Sequence, residues 1–176
     1  MEKNHKSIYL PLVVILLLTV FYVIYNKVLP ATLNDPFAYC NKVGTADKPD
    51  NPYTGPQKPE VITQNLKKRL NMQSVSIDTL KEGIFWRCMD SKVYACYVGA
   101  NLPCTNKANT DKTPTQEMNS YCASNPNSDF IPAVVTGHDT IYEWRCHKNT
   151  PEVVKQVFQT DGQGFISDIW YQIENK

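Results

Sequence analysis

Six cysteines are the residues best equipped for chemistry in this chain of 176: Cys40, Cys88, Cys96, Cys104, Cys122 and Cys146. Three kinds of chemistry are open to them. A redox couple wants two cysteines separated by two residues, but the nearest pairs, Cys88–Cys96 and Cys96–Cys104, each have seven between them. A zinc site wants cysteines and histidines clustered at short spacings, and no such cluster occurs. A thiolate nucleophile needs a base held by a third group. Beyond the first 39 residues the only histidines are His138 and His147, with Asp139 beside the first. His138, Asp139 and His147 could meet only through folding, and Gly137-His138-Asp139 reads as a polar turn before a strand. No glycine loop able to cradle a phosphate and no dinucleotide fingerprint is present. The expectation is a disulfide framework, with no catalytic residue, no metal and no cofactor.

A short echo adds two cations to the candidate site. Trp86-Arg87-Cys88 returns as Trp144-Arg145-Cys146. On a strand, Trp and Cys share one face while Arg points to the other. Both Trp and Cys pairs are therefore expected in the core, with each arginine stacking or pairing on the outer face. Guanidinium forks recognise carboxylate and phosphate, so Arg87, Arg145, His138 and Asp139 form the candidate binding surface. Bulk charge offers no more, because 18 basic and 17 acidic residues leave a net charge of +1. Nucleic-acid binding, which relies on a basic face, is excluded on that ground.

The cysteines also bear on location. All six follow residue 39, and an even number confined to one part of a chain suggests disulfides in an oxidising compartment. Ahead of them, Ile8 to Tyr25 is an uncharged apolar run of 18 residues. As a helix it would measure about 27 Å, close to the hydrocarbon thickness of a bilayer. The run exceeds the roughly 7–15 residues of a signal-peptide core. The best small-residue cleavage site would end at Ala31 with Leu29 two residues earlier, a poor fit. An uncleaved anchor is expected. Lys3 and Lys6 before the run outnumber Lys27 after it, which favours a short cytoplasmic N-terminus. The predicted organisation is thus residues 1–7 in the cytoplasm of a bacterium, a transmembrane helix over 8–25 in the inner membrane, a proline-rich tether or loop over 26–59, and a periplasmic domain over 60–176.

The elements that must position the candidate residues follow from pattern. Residues 44–59 contain Pro49, Pro52, Pro56 and Pro59 and cannot sustain a helix or central strand. A disulfide from Cys40 is expected to pin that loop to the domain. Pro59 then opens a helical pattern with Glu60 in its first turn, Lys67, Lys68 and Arg69 near its end, and a stripe through Ile62 and Leu66 that suits a helix covering a sheet. Residues 84–98 predict a hairpin around Asp90-Ser91, with Cys88 facing Val93 and Cys96 on the other face. Thr113-Pro114 predicts a short helix that carries Cys122 in its last turn, and Cys104–Cys122 is the expected bond among fifteen possible pairings. Ile141–Cys146, Val153–Thr160 and Phe165–Ile173 read as strands, the last two as a hairpin around Gly162 and Gly164. The fold class expected is α+β: a mainly antiparallel sheet, two short helices and three disulfides.

Several strings together resemble a family of bacterial exported, cysteine-containing proteins. They are DPFAYC (35–40), VGTADKPDNPYTGP (43–56), FWRCMDSKVYACYVGANLPC (85–104), NPNSDFIPAVVTG (125–137), IYEWRC (141–146) and QGFISDIWYQI (163–173). The resemblance implies export and carries over no activity and no functional residue. Ser91 departs from that pattern, standing where the family has a glycine slot in the turn. A WRC-type strand followed by a hairpin in a disulfide-bonded β domain is also similar in architecture to small periplasmic lysozyme inhibitors, and likeness of fold does not transfer function. The function expected is a non-catalytic interaction or envelope-assembly module with an unidentified protein or envelope partner. The rival readings are an inhibitor of a cell-wall hydrolase such as lysozyme and an unrecognised envelope enzyme.

Overall fold

Asp35-Pro36 starts the first helix as capping chemistry requires. The Asp35 carboxylate accepts from the Ala38 N–H at 2.7 Å and Pro36 occupies the first turn, where no N–H is needed. This helix, α1 (Pro36–Val43), ends on Gly44 at φ 77°. The computed structural model describes residues 14–16, 18 and 33–175. Of the apolar run, the few described residues are helical and exposed. The expected anchor otherwise lies outside the described residues, among which no helix is long and apolar enough to cross a membrane.

Four further α-helices and five strands complete the described chain: α2 (Glu60–Arg69), α3 (Ile77–Gly83), β1 (Ile84–Met89), β2 (Lys92–Tyr97), α4 (Gln116–Ser124), α5 (Ala133–Thr136), β3 (Tyr142–His147), β4 (Thr150–Gln156) and β5 (Tyr171–Ile173). β1, β2 and β5 form one antiparallel sheet in that order, and β3 and β4 form a second. The mixed α+β class, the antiparallel pairing and three disulfides agree with expectation. Two short helices were expected in the domain, where five α-helices are found among the described residues 33–175. Residues 26–59 are also not all tether, because α1 lies within them and buries Tyr39 and Cys40 completely.

The first sheet is covered on both faces. Ile84, Trp86, Cys88, Val93 and Ala95 face α1, α2 and α3, against Tyr39, Ile62, Leu66 and Leu80. Phe85, Tyr94 and Cys96 face the other way, onto Ile141, Phe165, Ile166, Ile169 and Trp170. A third cluster joins α4 to the second sheet through Met118, Cys122, Ile131, Trp144 and Cys146.

The β1–β2 register places Cys88 opposite Val93, as the two-residue turn requires. Asp90 and Ser91 take φ 51° and 62°, both left-handed, which makes a primed turn despite the missing glycine. The Ser91 N–H donates to Gly44 O at 2.7 Å and ties the turn to the end of α1. Ser91→Gly is expected to raise stability by about 0.5–1 kcal/mol, the left-handed penalty of an L side chain less glycine's extra chain entropy. Urea denaturation would measure it, and an unchanged or lower midpoint would contradict the assignment.

Two expectations fail for tertiary reasons. The bonds are Cys40–Cys88, Cys96–Cys104 and Cys122–Cys146, so Cys104 does not pair with Cys122. A 3-10 turn at Gly99–Asn101 folds the chain back onto the end of β2 and brings Cys104 to Cys96. Cys122 is buried on the side of α4 that packs against β3, where Cys146 is its neighbour. The second failure is the last hairpin. β4 pairs with β3, only Thr160 and Ile166 form a bridge across the expected turn, and the final strand shrinks to three residues on β2. Asp161 curls the intervening segment, its Oδ1 accepting from the Gln163 and Phe165 N–H groups at 2.9 and 3.1 Å. Of the two glycines there, Gly164 alone has a positive φ, at 81°. The helix expected from Thr113-Pro114 is capped instead by Thr115, whose Oγ1 accepts from the Met118 N–H at 3.2 Å.

Candidate ligand-binding cleft

The Cys40–Cys88 bond holds the proline-rich loop against β1, and Ala46 there exchanges two backbone hydrogen bonds with Cys88, at 2.9 and 3.0 Å. The rest of the loop is fixed by aromatic packing. Tyr53 lies 5.2 Å from the Tyr39 ring and 5.0 Å from Trp86. The Tyr39 hydroxyl donates to Asp50 Oδ1 at 2.8 Å, and the Trp86 indole donates to Gln57 O at 2.8 Å. Prolines remove donors and restrict φ, so a few such ties suffice to hold the loop in one course.

Between this loop, the edge of β1 and the segments around Cys104 and Phe165 lies a cleft of about 560 Å³. That volume falls in the range of small-ligand sites, roughly 300–1,000 Å³. Its base is apolar: Ile84, Phe85, Trp86, Phe165 and Trp170, with the Cys96–Cys104 bond alongside. Its rim is charged, with Lys48, Lys58 and Lys107 against Asp47 alone. The Lys58 ammonium sits 5.8 Å over the Phe85 ring and donates to Glu82 O at 2.8 Å. Lys107 lies 3.8 Å over the Phe165 ring and donates to Asp47 Oδ2 and Gln163 O at 2.5 and 2.6 Å. A cleft of this composition favours an apolar body carrying negative charge.

Arg87 forms the support behind the cleft. It is wholly buried, its guanidinium 4.5 Å from the Phe165 ring and 4.4 Å from the Trp170 ring. It ion-pairs with Asp161 and donates to Gln163 Oε1 at 2.5 Å. Gln163 in turn donates to Asp47 Oδ1 at 2.7 Å, linking β1, the pinned loop and the 161–165 turn. Partial burial pushes the Asp47 carboxyl up, but the hydrogen bonds from Lys107 and Gln163 and the charges of Lys107 and Arg87 outweigh it and hold the pKa below 3.8.

Both arginines pair on the face opposite Trp and Cys, as expected, and Arg87 also stacks there; what the expectation missed is that this face is covered at Arg87. Arg145 is half exposed and pairs with Glu152 on the neighbouring strand. Arg87 does point away from Trp86 and Cys88, but the segment around Phe165 and Trp170 covers that face of the sheet. The four candidate residues are not brought together. His138 lines a separate hollow with Phe130 and Phe158, and Asp139 follows it with its backbone O accepting from the Asn109 N–H at 2.7 Å. His147 ends β3, and among the described residues no group of three His, Cys, Asp or Glu is placed to hold a metal. Sequence reasoning missed Asp47, Lys48, Lys58, Lys107, Phe165 and Trp170. They come from three separate stretches of chain, and no spacing links them.

The aromatic trio under the loop makes the site sensitive to alkali. Burial, with the Asp35 charge adding to it, pushes the Tyr53 phenol up to about 12, and burial likewise raises Tyr39. A folded-state value above the ordinary 10.0 means the neutral phenol's contribution is whole below pH 10 and lost as pH climbs through about 12. The loop is therefore expected to loosen between pH 10 and 12, together with a late phenolate absorbance step near 295 nm. Tyr53→Phe should shrink that step and leave the part due to Tyr39, and a full set of tyrosines titrating near pH 10 without structural change would contradict the assignment. No protein family, curated protein or solved structure matches this chain, and the chemistry of the cleft is therefore what bears on its function.

Proposed function

We propose that this protein is a non-catalytic binding module, anchored in the bacterial inner membrane by residues 8–25, with its disulfide-bonded domain in the periplasm. One observation carries the binding role: a disulfide and an aromatic trio hold a proline-rich loop as the wall of an apolar, lysine-rimmed cleft. Pre-set walls lower the ordering cost of binding. Location is supported by the one-sided cysteines, all six of which are paired, and by the resemblance to exported bacterial proteins. If 8–25 spans the bilayer, residues 26–32 separate it from Leu33, which already bridges to Tyr53. Seven residues reach at most about 25 Å, so the cleft would meet partners close to the membrane surface.

Two experiments test this. Fusions of alkaline phosphatase and of a fluorescent protein after Lys176 should be phosphatase-positive and dark, and the opposite result refutes the topology. Crosslinking of the full chain in intact cells, followed by mass spectrometry, should recover a reproducible partner through the cleft face. A second reading, inhibition of a cell-wall hydrolase, rests on Phe130 and Val134, which are 61% and 84% exposed around α5 and could enter a catalytic groove. Inhibition of lysozyme by the detergent-solubilised chain, abolished by Phe130→Ser with Val134→Ser, would favour it over the first.

A further inference from the structure

The edge of β1 carries an unfinished hydrogen-bond ladder that opens into the cleft. In an antiparallel pair, residues alternate between turning their N–H and C=O toward the partner strand and away from it. Cys88 turns away from β2, because it exchanges both bonds with Ala46. By alternation Trp86 also turns away from β2, while Phe85 and Arg87 pair with Cys96 and Tyr94. Val98 N–H donating to Gly83 O at 2.9 Å agrees with that phase. Beyond Ala46 the loop bears away from the strand. The outward N–H and C=O of Trp86 make no hydrogen bond among the described residues; Trp86 is 3% exposed, and the little that shows lines the cleft beside Lys48, Lys58 and Phe85. Unpaired edge groups of this kind are templates for another extended chain.

Resting on the reading of a binding module, we propose that the cleft receives an extended acidic peptide of a partner protein, which continues the Ala46 ladder by pairing its backbone with Trp86. Alternate apolar side chains of the peptide lie on Phe85 and Phe165, and its carboxylates meet Lys48 and Lys58. The charge decides the class of peptide. Asp47 is already engaged by Lys107 and Gln163, whereas Lys48 has no partner among the described residues and Lys58 makes one hydrogen bond there, to Glu82 O. Backbone pairing supplies affinity and the alternate side chains supply selection.

The probe is the N-acetylated peptide Glu-Val-Glu-Phe-Glu-Val-Glu, titrated by fluorescence anisotropy into the full chain in detergent micelles. It should bind at least about tenfold more tightly than Lys-Val-Lys-Phe-Lys-Val-Lys, and Lys48→Glu with Lys58→Glu should weaken it by about the same factor. Methylating the peptide's backbone nitrogens at alternate residues gives two sets. One set should weaken binding by about tenfold or more, through loss of paired donors, and the other should change it little. The Trp86 amide should gain protection from hydrogen exchange by NMR. Equal binding of the lysine peptide, equal effects of both methylated sets, or an unprotected Trp86 amide overturns the proposal. So does a Trp86 amide protected before peptide is added, which would place a second copy in the cleft. A partner crosslinked in cells through other faces, with no peptide binding here, overturns this inference and spares the module reading. No partner and no peptide binding overturns both.

Discussion

Arg87→Ala is expected to lower the unfolding free energy by about 3–5 kcal/mol, while Arg145→Ala lowers it by less than about 1 kcal/mol. The two arginines share the same Trp-Arg-Cys context, so the contrast isolates what the fold does with each. Arg87 is fully buried and pairs with Asp161, itself 6% exposed. Removing the guanidinium leaves a buried carboxylate without its partner and empties the space between the Phe165 and Trp170 rings. It also frees Gln163, which connects Arg87 to Asp47 and so to the cleft wall. Arg145 and Glu152 are 50% and 38% exposed, and water replaces most of their attraction. Urea denaturation followed by far-ultraviolet circular dichroism, with the disulfides intact, measures both. Replacing the buried pair together, as Arg87→Met with Asp161→Leu, should recover much of the loss, since no charge is then left unpaired. Small and equal effects at the two arginines would contradict the account.

Loss of the Cys40–Cys88 bond should be the next largest effect, about 4 kcal/mol, against about 3.5 for Cys122–Cys146 and about 2.5 for Cys96–Cys104. The order reflects the loops they close, with sequence separations of 48, 24 and 8. A longer loop forfeits more chain entropy in the unfolded state when it is crosslinked. Cys40→Ala with Cys88→Ala has a functional consequence as well, because that bond attaches α1 and the proline-rich loop to β1. The double substitution should therefore weaken partner binding at temperatures where the fold persists, whereas removing Cys122–Cys146, which staples the far cluster, should not. Thermal melting of the three paired variants gives the order. Non-reducing peptide mapping gives the connectivity, and recovery of a Cys104–Cys122 peptide would overturn it.

Local chemistry made several elements legible in the sequence. Pro59 and Glu60 at the start of α2, with Lys67, Lys68 and Arg69 at its end, carry their own dipole complement. The β1–β2 hairpin was readable because two strand-like runs flank a two-residue turn, and register there is set by the turn itself. The pinning of the loop by Cys40 followed from its place just ahead of the prolines, although the sequence did not name Cys88 as its partner. What tertiary structure decided lies farther apart along the chain. Phe165 to Ile173 alternates like a strand, yet Asp161 curls the start of the segment and the Arg87 face draws Phe165 and Trp170 over itself. Alternation records which residues avoid water and says nothing of what covers them, which is why Arg87 could be assigned a face but not its burial. The cleft is the extreme case: Asp47, Lys58, Phe85, Lys107 and Trp170 are neighbours only because two disulfides and a covered sheet bring four distant stretches together. Such long-range contacts depend on the cooperative closing of loops whose ends carry no local signal of one another, so only the folded chain specifies them.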